Sequence, residues 1–365
     1  MKLSVIVPVY NMIEGGRLAF CLDSLLNQTL PEEDFEIIAI DDCSTDRSYE
    51  LLREYAGKYP SRFVVRKTPK NLRQGGAKNM GLSLARGEWI GFVDSDDFVA
   101  PSFYETLLVV AEAEDADVAG CDLYRTRTHS FDAGYEIIHN NREEQDGVLS
   151  VEKKQSLILD GGFLPAKIFR RHIIFGDSDL FLQSGKNNRA DVFPENMFYE
   201  DNVVAPLWML RAARFSYVQE PLYYYYQSEH STTNTVTTDR LHERMRAANM
   251  MLERAEREGF FAKYHSEFEY RFTHLFYINT LFSAMQTKGL EECYSFTESL
   301  LRDMDRRFPN FDVNPYYIER TPEEEKKLIA MQRQSHRKFY LYYRALWAYR
   351  HAFRKGGNAQ PETKD

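Results

Sequence analysis

Hydrophobic and polar positions switch between two periods along the first hundred residues. "LSVIVPVY" (3–10) is a near-continuous apolar run of strand length, and Leu18, Leu22, Leu25 and Leu26 then recur at helical spacing. "FEIIAI" (35–40) predicts a second strand, followed by a helix with Leu51, Leu52 and Tyr55 facing inward and Ser44 or Thr45 as its cap. "RFVVRK" (62–67) predicts a third strand, residues 75–86 a short helix, and "WIGFV" (89–93) a fourth strand. Apolar strands separated by helices imply a parallel sheet covered on both faces, with right-handed crossovers. After Pro101 a helical run through Ala113 leads to a fifth strand near "DVAGCDLY" (117–124), and the polar residues 125–150 read as loop or a short hairpin.

From about residue 239 the periodicity is helical only, beginning with "DRLHERMRAANMMLERAERE". At "TPEEEKK", Thr321 as N-cap, Pro322 at the first helical position and Glu324 three residues on predict a capping box. An unbroken helix from there to Lys355 would run ~50 Å at about 1.5 Å per residue. "GGNAQPETKD" reads as a disordered end.

Composition narrows the class. A chain of 365 residues with 43% hydrophobic content suits one main domain with an extension. Cys21, Cys43, Cys121 and Cys293 form no CxxC pair, which argues against a zinc site or a disulfide framework and fits a reducing cytoplasm. The start "MKLSVIVPVYN" reads as a strand rather than a signal peptide, and no stretch approaches the ~18 apolar residues that span a bilayer. A soluble or peripherally attached protein is expected. The net charge of −9 is uneven, because residues 326–355 hold nine Lys/Arg and no Asp/Glu. The acidic bulk argues against nucleic acid as a partner, while the basic segment suggests an anionic surface.

In open parallel sheets ligands bind beyond the carboxyl ends of the strands. Those ends carry "PVYN" (8–11), "DDCSTD" (41–46), "NLRQGGAKN" (71–79) and "DSDD" (94–97), four polar clusters expected on one edge. "GGAKN" resembles a phosphate loop only loosely, lacking GK[ST], and no GxGxxG follows the first strand, which argues against a nicotinamide or flavin cofactor. Taken singly, Asp41 or Asp42 could be turn formers, and Asp94, Asp96 and Asp97 could merely end a strand and start a helix. Yet like charges this close raise each other's pKa unless a cation stabilises them, and Mg²⁺ or Mn²⁺ prefer carboxylate oxygens. In an extended segment Asp94 and Asp96 face one way, leaving Asp97 to cap the helix beginning near Pro101. A metal on two carboxylates beside a Gly-rich loop with Lys78 suits a diphosphate, and Asp41 or Asp42 suits a base or ribose.

These residues resemble the family 2 glycosyltransferases, inverting enzymes of the GT-A fold. "SVIVPVYN", "IIAIDDCSTDRS", "NLRQGGAKNMGLSLARGEWIGFVDSDD" and "VFPENMFYED" match the family's motifs in order and spacing, over about residues 1–235. The resemblance implies a GT-A type, Rossmann-like, mostly parallel sheet with helices on both faces, followed by an α-helical C-terminal extension. With the periodicity, it divides the chain into a catalytic domain (1–235), a helical region (236–320), a basic aromatic amphipathic helix (321–355) and a disordered tail (356–365). It implies a metal-dependent hexosyltransferase that moves a sugar from a nucleotide-diphosphate sugar, a UDP-sugar foremost, to a glycan or lipid-linked saccharide in cell-surface polysaccharide biosynthesis.

Carried over by position, Pro8, Val9 and Tyr10 with Asp41 and Asp42 would bind the nucleobase. Lys78 stands where the family often has Arg, near base or diphosphate. Asp94, Ser95 and Asp96 form the DXD motif, with Asp96 on Mn²⁺ or Mg²⁺ and Asp94 nearer the ribose or sharing the metal. Asp201 falls at the catalytic base, which takes the acceptor's proton, and Glu200 binds acceptor or holds the loop. Relatives often carry Arg where Tyr226 stands, so His230 either supplies the missing charge or a metal bond, or is simply an exposed loop histidine. The tyrosines 223–226 either stack on sugar rings or alternate along an edge strand. "QSHRK" (334–338) lies too far downstream to be the QxxRW of processive relatives, which favours single additions.

Within 337–355, Phe339, Tyr342, Tyr343, Leu346, Tyr349 and Phe353 recur at helical spacing, with Arg337, Arg344, His351 and Lys355 mainly toward another face. Such a helix either lies on an anionic membrane, placing a cytoplasmic enzyme peripherally at its inner face, or packs its aromatics on the catalytic domain. Two other functions fit less well. A sugar-phosphate nucleotidyltransferase would carry a Gly-rich activating loop with Arg or Lys directly after the first strand, where this chain has "PVYNMIEGG". A catalytically silent glycan-binding protein would have no need of Asp94, Asp96 and Asp201.

Overall fold

The computed structural model describes residues 1–132, 136–176, 192–227, 237–286 and 293–356, with side chains to residue 350. Contacts divide the chain into two compact units, Met1–Asn234 with Glu253–Phe260, and Thr235–Leu252 with Phe261–Asp365.

The first unit opens with β1 (Leu3–Val9), α1 (Arg17–Leu26), β2 (Phe35–Asp41), α2 (Ser48–Lys58), β3 (Phe63–Lys67), α3 (Arg73–Leu84) and β4 (Trp89–Phe92). It continues through β5 (Phe98–Val99), α4 (Phe103–Ala113), β6 (Val118–Thr126), β7 (Glu136–Ile138), β8 (Gly147–Val148) and α5 (Val151–Leu159). Last come β9 (Lys167–Arg170), α6 (Arg171–Phe175), α7 (Glu200–Arg211) and β10 (Arg214–Tyr226). Every residue of β1 and β2 is buried, the signature of parallel strands covered on both faces. Among the described residues one sheet runs in the order β3-β2-β1-β4-β9-β6-β10-β5.

β1 pairs in parallel with both β2 and β4, and β2 with β3, as the alternating pattern predicts. Beyond β4 the sheet becomes mixed. The four-residue β9 inserts antiparallel between β4 and β6, while β10 runs parallel to β6 and antiparallel to β5. β7 pairs antiparallel with β6, Leu123–Arg125 opposite Glu136–Ile138, so the hairpin alternative to a loop holds for these strands. The α2 cap differs from expectation: the helix starts at Ser48, and Asp46 Oδ1 accepts its amide at 2.9 Å. Ser44 and Thr45 are spent elsewhere, on Asn11 at the end of β1.

The junction of β1, β2 and β4 is tied by a polar group inside the core. Glu36 is fully buried and accepts from Ser4 Oγ at 2.7 Å, from the Arg86 amide at 2.9 Å and from Arg86 Nε and Nη2 at 2.9 and 2.7 Å. A buried carboxylate stripped of its donors is costly.

The second unit is helical among its described residues: Thr238–Arg257 in part, Phe260–Lys263, His265–Phe272, Asn279–Gln286, Cys293–Arg307, Pro315–Arg320, Glu323–Gln334 and His336–Gly356. The predicted capping box does not form. The Thr321 amide closes the preceding helix on Tyr317 O at 3.2 Å, and Pro322 is the N-cap of a helix that starts at Glu323. The expected long helix is also broken, at Ser335, whose extended backbone (φ −159°, ψ 103°) separates 323–334 from 336–356. The aromatic stripe is split by packing within this unit. Phe339 and Tyr343 are buried, Tyr343 lying 5.7 Å from the Phe282 ring, whereas Leu341, Tyr342 and Tyr349 stay exposed. Phe353 falls outside the residues whose side chains are described.

Arg86→Ala is expected to destabilise the protein by about 2 kcal/mol in urea unfolding, because Glu36 loses two charge-assisted donors. In a Glu36→Gln background the same change should cost well under half of that; equal losses in both would show that the pair does not anchor this junction.

Candidate functional site

Since β1 to β4 are parallel neighbours, their carboxyl ends place the four polar clusters on one edge. Pro8 and Val9 are buried in β1, and Tyr10 beyond it is 44% exposed. Asp41 is fully buried at the end of β2; its Oδ2 accepts the Ser44 amide at 3.1 Å and faces Lys67 Nζ at 3.3 Å. Its Oδ1 is buried with no protein hydrogen-bond partner. Asp42 is turned the other way, its Oδ1 accepting Thr68 Oγ1 at 2.9 Å and the Leu72 amide at 2.8 Å. Burial outweighs these bonds and raises the Asp42 pKa above the usual carboxylate range. Asp41 therefore offers a free acceptor at this edge, and Asp42 holds the lead-in to α3.

After β4 the chain turns instead of continuing extended: the Asp97 amide donates to Asp94 O at 3.0 Å. The turn leaves Asp94 and Asp96 partly exposed and buries Ser95 and Asp97. Asp97 does not cap α4. It accepts Tyr223 Oη at 2.6 Å and the Tyr226 amide at 2.8 Å, because β10 lies directly over the turn. Tyr223 Oη in turn accepts the Asp94 amide at 3.3 Å, and His129 Nε2 bonds Asp96 O at 2.9 Å. Burial first, then the neighbouring Asp96 and Asp201, push the Asp94 pKa up to about 6, although Lys78 opposes them. Burial raises Asp96 as well, with Arg17 opposing. Asp94 Oδ1, like Asp41 Oδ1, is buried without a protein partner.

α3 and α7 supply the remaining groups. Lys78 Nζ, buried, meets Glu200 Oε1 at 2.8 Å. Burial works against its charge, but Glu200, Asp94 and Asp201 more than offset this and raise its pKa. The loop before α7 is fastened to α3 by Asn79, whose Oδ1 accepts the Val192 and Phe193 amides at 3.1 and 2.8 Å while its Nδ2 donates to Phe193 O at 2.9 Å. Gly75 permits the contact, since a Cβ there would lie 2.1 Å from Pro194 O. Tyr199, in the left-handed region at φ 65°, then turns the chain into α7. Asp201 is partly buried in the first turn, its Oδ1 accepting the Asn202 amide at 2.8 Å.

Lys78, Asp94, Glu200 and Asp201 are thus brought together from three elements, with Asp96 on the same turn as Asp94. His230 lies outside the described residues. Among the described residues no group of three His, Cys, Asp or Glu side chains is arranged to enclose a metal. Asp94, with its orphan oxygen, and the partly exposed Asp96 beside it fit a hard cation that takes its other ligands from substrate and water. Periodicity did not reveal the Lys78–Glu200 pair, the Asn79 fastening or the Tyr223–Asp97 bond, each of which joins residues over a hundred positions apart. Only the clustering of "GGAKN" and "PENMFYED" between apolar runs hinted at the first two.

The fold is of the GT-A type. Residues 4–174, just under half of the chain, match the family described as Glycosyl transferase family 2. The chain is 46% identical over 99 residues to a poly(ribitol-phosphate) beta-glucosyltransferase of Bacillus spizizenii, covering 27% of this chain and 15% of that protein. It is 32% identical over 229 residues to the uncharacterized glycosyltransferase YibD of Escherichia coli, covering 62% and 61%. The chain therefore spans less than two thirds of these relatives. In structure it resembles residues 1–349 of Staphylococcus aureus TarS in complex with UDP-GlcNAc, with a TM-score of 0.60 at 21% identity, covering 96% of this chain and 92% of that one.

The raised Asp94 pKa has a stability consequence. An unfolded carboxylate titrates near 4 and the folded one at about 6, so the native state holds the extra proton between. This group's contribution is full below pH 4 and lost as pH rises through 6. Without added metal, Asp94→Asn should raise the melting temperature at pH 7 by a few degrees, and the gain should vanish below pH 4. A gain independent of pH would contradict the assignment.

Proposed function

We propose that the protein is an inverting glycosyltransferase that moves a sugar from a UDP-sugar to a glycan or lipid-linked saccharide in cell-surface polysaccharide synthesis. The observation that carries this reading is the pair of buried, unpartnered carboxylate oxygens, Asp41 Oδ1 and Asp94 Oδ1, at the carboxyl ends of β2 and β4, the parallel strands on either side of β1. Asp41, with the β1 end at Pro8, Val9 and Tyr10, suits a nucleobase N–H; Asp94 and Ser95 suit the ribose side of the DXD turn. A poly(ribitol-phosphate) relative and a UDP-GlcNAc complex of a similar fold support the choice of donor and of a cell-surface polymer as acceptor.

Asp94 and Asp96 are the residues that would hold Mn²⁺ or Mg²⁺, which when bound supplies Lewis-acid stabilisation of the departing diphosphate. Asp201 accepts the proton of the acceptor hydroxyl as its oxygen attacks the anomeric carbon, and the bond to the diphosphate breaks with its electron pair passing to the phosphate oxygen. Lys78 keeps the neighbourhood of Asp94 and Asp201 from accumulating uncompensated negative charge, with Glu200 fixing its position. The acid at 200 is therefore a positioning residue, not an acceptor ligand.

No helix among the described residues is long and apolar enough to cross a membrane. We assign the exposed face of Leu341, Tyr342 and Tyr349, flanked by exposed Arg337, Lys338 and Arg344, to an anionic membrane surface on the cytoplasmic side, where lipid-linked acceptors reside. The other aromatics of the stripe, Phe339 and Tyr343, serve packing.

With Mn²⁺ present, a panel of nucleotide sugars should show turnover of at least one UDP-sugar, abolished by chelation and restored by metal. Asp201→Asn should leave UDP affinity within about twofold and lower kcat by about 10²–10⁴; loss of UDP binding instead would assign Asp201 elsewhere. Reversing Arg337, Lys338 and Arg344 to Glu should weaken binding to phosphatidylglycerol vesicles at least tenfold, at about 1 kcal/mol per basic residue. Unchanged vesicle binding would remove the membrane assignment.

A further inference from the structure

The sheet edge is rich in acids, and most cations near it are already committed. Lys78 is paired with Glu200 at 2.8 Å and Lys67 with Asp41 at 3.3 Å. Arg17, the first residue of α1, is different. Its Nε donates to Glu14 O at 3.1 Å, and among the described residues it meets no carboxylate at ion-pair distance.

The placement of its helix is fixed by aromatic contacts. Phe20, one turn on and on the same face, lies 4.9 Å from the Phe98 ring, 5.6 Å from His129 and 5.7 Å from Phe131. His129 carries the Asp96 carbonyl on Nε2 at 2.9 Å and the Tyr226 ring at 4.3 Å. The first turn of α1 is thereby seated, through Phe98 and His129, beside the turn from Asp94 to Asp97. The charge of Arg17 reaches both neighbours: it opposes the burial that raises Asp96, and it adds to the burial that lowers His129. Gly15 and Gly16, both left-handed at φ 70° and 69°, deliver the chain into α1 at this angle.

We propose that Arg17 binds the diphosphate of the nucleotide-sugar donor, with its guanidinium on the outer phosphate beside Asp96. This rests on the donor reading above. A guanidinium presents a fork of donors matched to phosphate oxygens, and it is less strongly hydrated than an ammonium, so it can serve at a half-buried position. When the anomeric carbon–oxygen bond breaks, the electron pair moves to the outer phosphate. The cation nearest that oxygen then gains interaction energy in the transition state, so Arg17 contributes to turnover as well as to affinity.

The test uses the full chain and calorimetric binding of UDP, GDP and TDP and of the nucleoside of whichever binds best. Arg17→Ala should weaken the diphosphate about tenfold or more, leave the nucleoside unchanged within twofold and leave thermal unfolding unaltered. Arg17→Lys should recover part of the loss. Equal diphosphate affinity in Arg17→Ala and the native protein, or a parallel loss for the nucleoside, would overturn the assignment while leaving the donor reading standing. If the native protein bound none of the three diphosphates, the donor reading itself would fall and the assignment with it.

Discussion

The buried ion pair between Lys78 and Glu200 is the contact on which the geometry of the site depends. Both groups are almost wholly removed from water, where an isolated charge of either sign is costly, so each is tolerable only while the other is in place. They sit on α3 and α7, 122 residues apart, and the pair fixes the first turn of α7 against the carboxyl edge of the sheet. Asp201 is the next residue along, so its position is inherited from that pair. Asn79, one residue after Lys78, and Gly75, one turn before, bring in the loop that leads to α7. A short piece of α3 thus determines where the proposed base stands, although it supplies no part of the base itself.

Around this pair the acids divide by what their oxygens touch. Asp42 and Asp97 are engaged by the protein, the first through Oδ1 by Thr68 and Leu72, the second on both oxygens by Tyr223 and Tyr226, and both serve structure. Asp41 and Asp94 each keep one buried oxygen without a protein partner. Such atoms destabilise a fold, and a protein retains them where function uses them. The contrast within a single turn, Asp97 satisfied and Asp94 not, is a physical argument for which carboxylate faces substrate, and it does not depend on the family's motif.

The parallel half of the sheet was legible in the sequence because β1, β2 and β4 are buried on both faces and read as apolar runs between helices. The ends of those runs then located the polar clusters. What lay beyond reach of periodicity has a common cause. β9 is only four residues long and binds antiparallel by tertiary pairing; Asp97 is claimed by tyrosines 126 and 129 residues downstream; Thr321 is consumed by the helix before it. Each is a local signal, an acid before a helix or a Thr-Pro-Glu start, redirected by a long-range partner that the local sequence does not contain. The break at Ser335 belongs to the same class: Gln332 and His336 are both buried, Gln332 on Tyr277 and Thr297 and His336 on Tyr294, and the helix yields to accommodate them.

The run of four tyrosines shows how such redirection builds the site. On a strand successive side chains face opposite sides. Tyr223 and Tyr225 pack on Phe163 beneath one face, while Tyr224 stacks on Phe98 at 4.5 Å and Tyr226 lies on His129 at 4.3 Å on the other. β10 lies between β6 and the two-residue β5 at Tyr223 and Tyr224, so those two rings are buried in packing, whereas Tyr225 and Tyr226 stay partly exposed. The turn from Asp94 to Asp97 is consequently held from both faces of the sheet, by Tyr223 on one and through His129 on the other. A cation at position 226 would have to displace the Tyr226 ring from His129 and so loosen the Asp96 carbonyl. With this ring occupied in fixing the turn, the positive charge proposed for the diphosphate comes from a different element, Arg17 on α1, whose first turn meets the same histidine through Phe20.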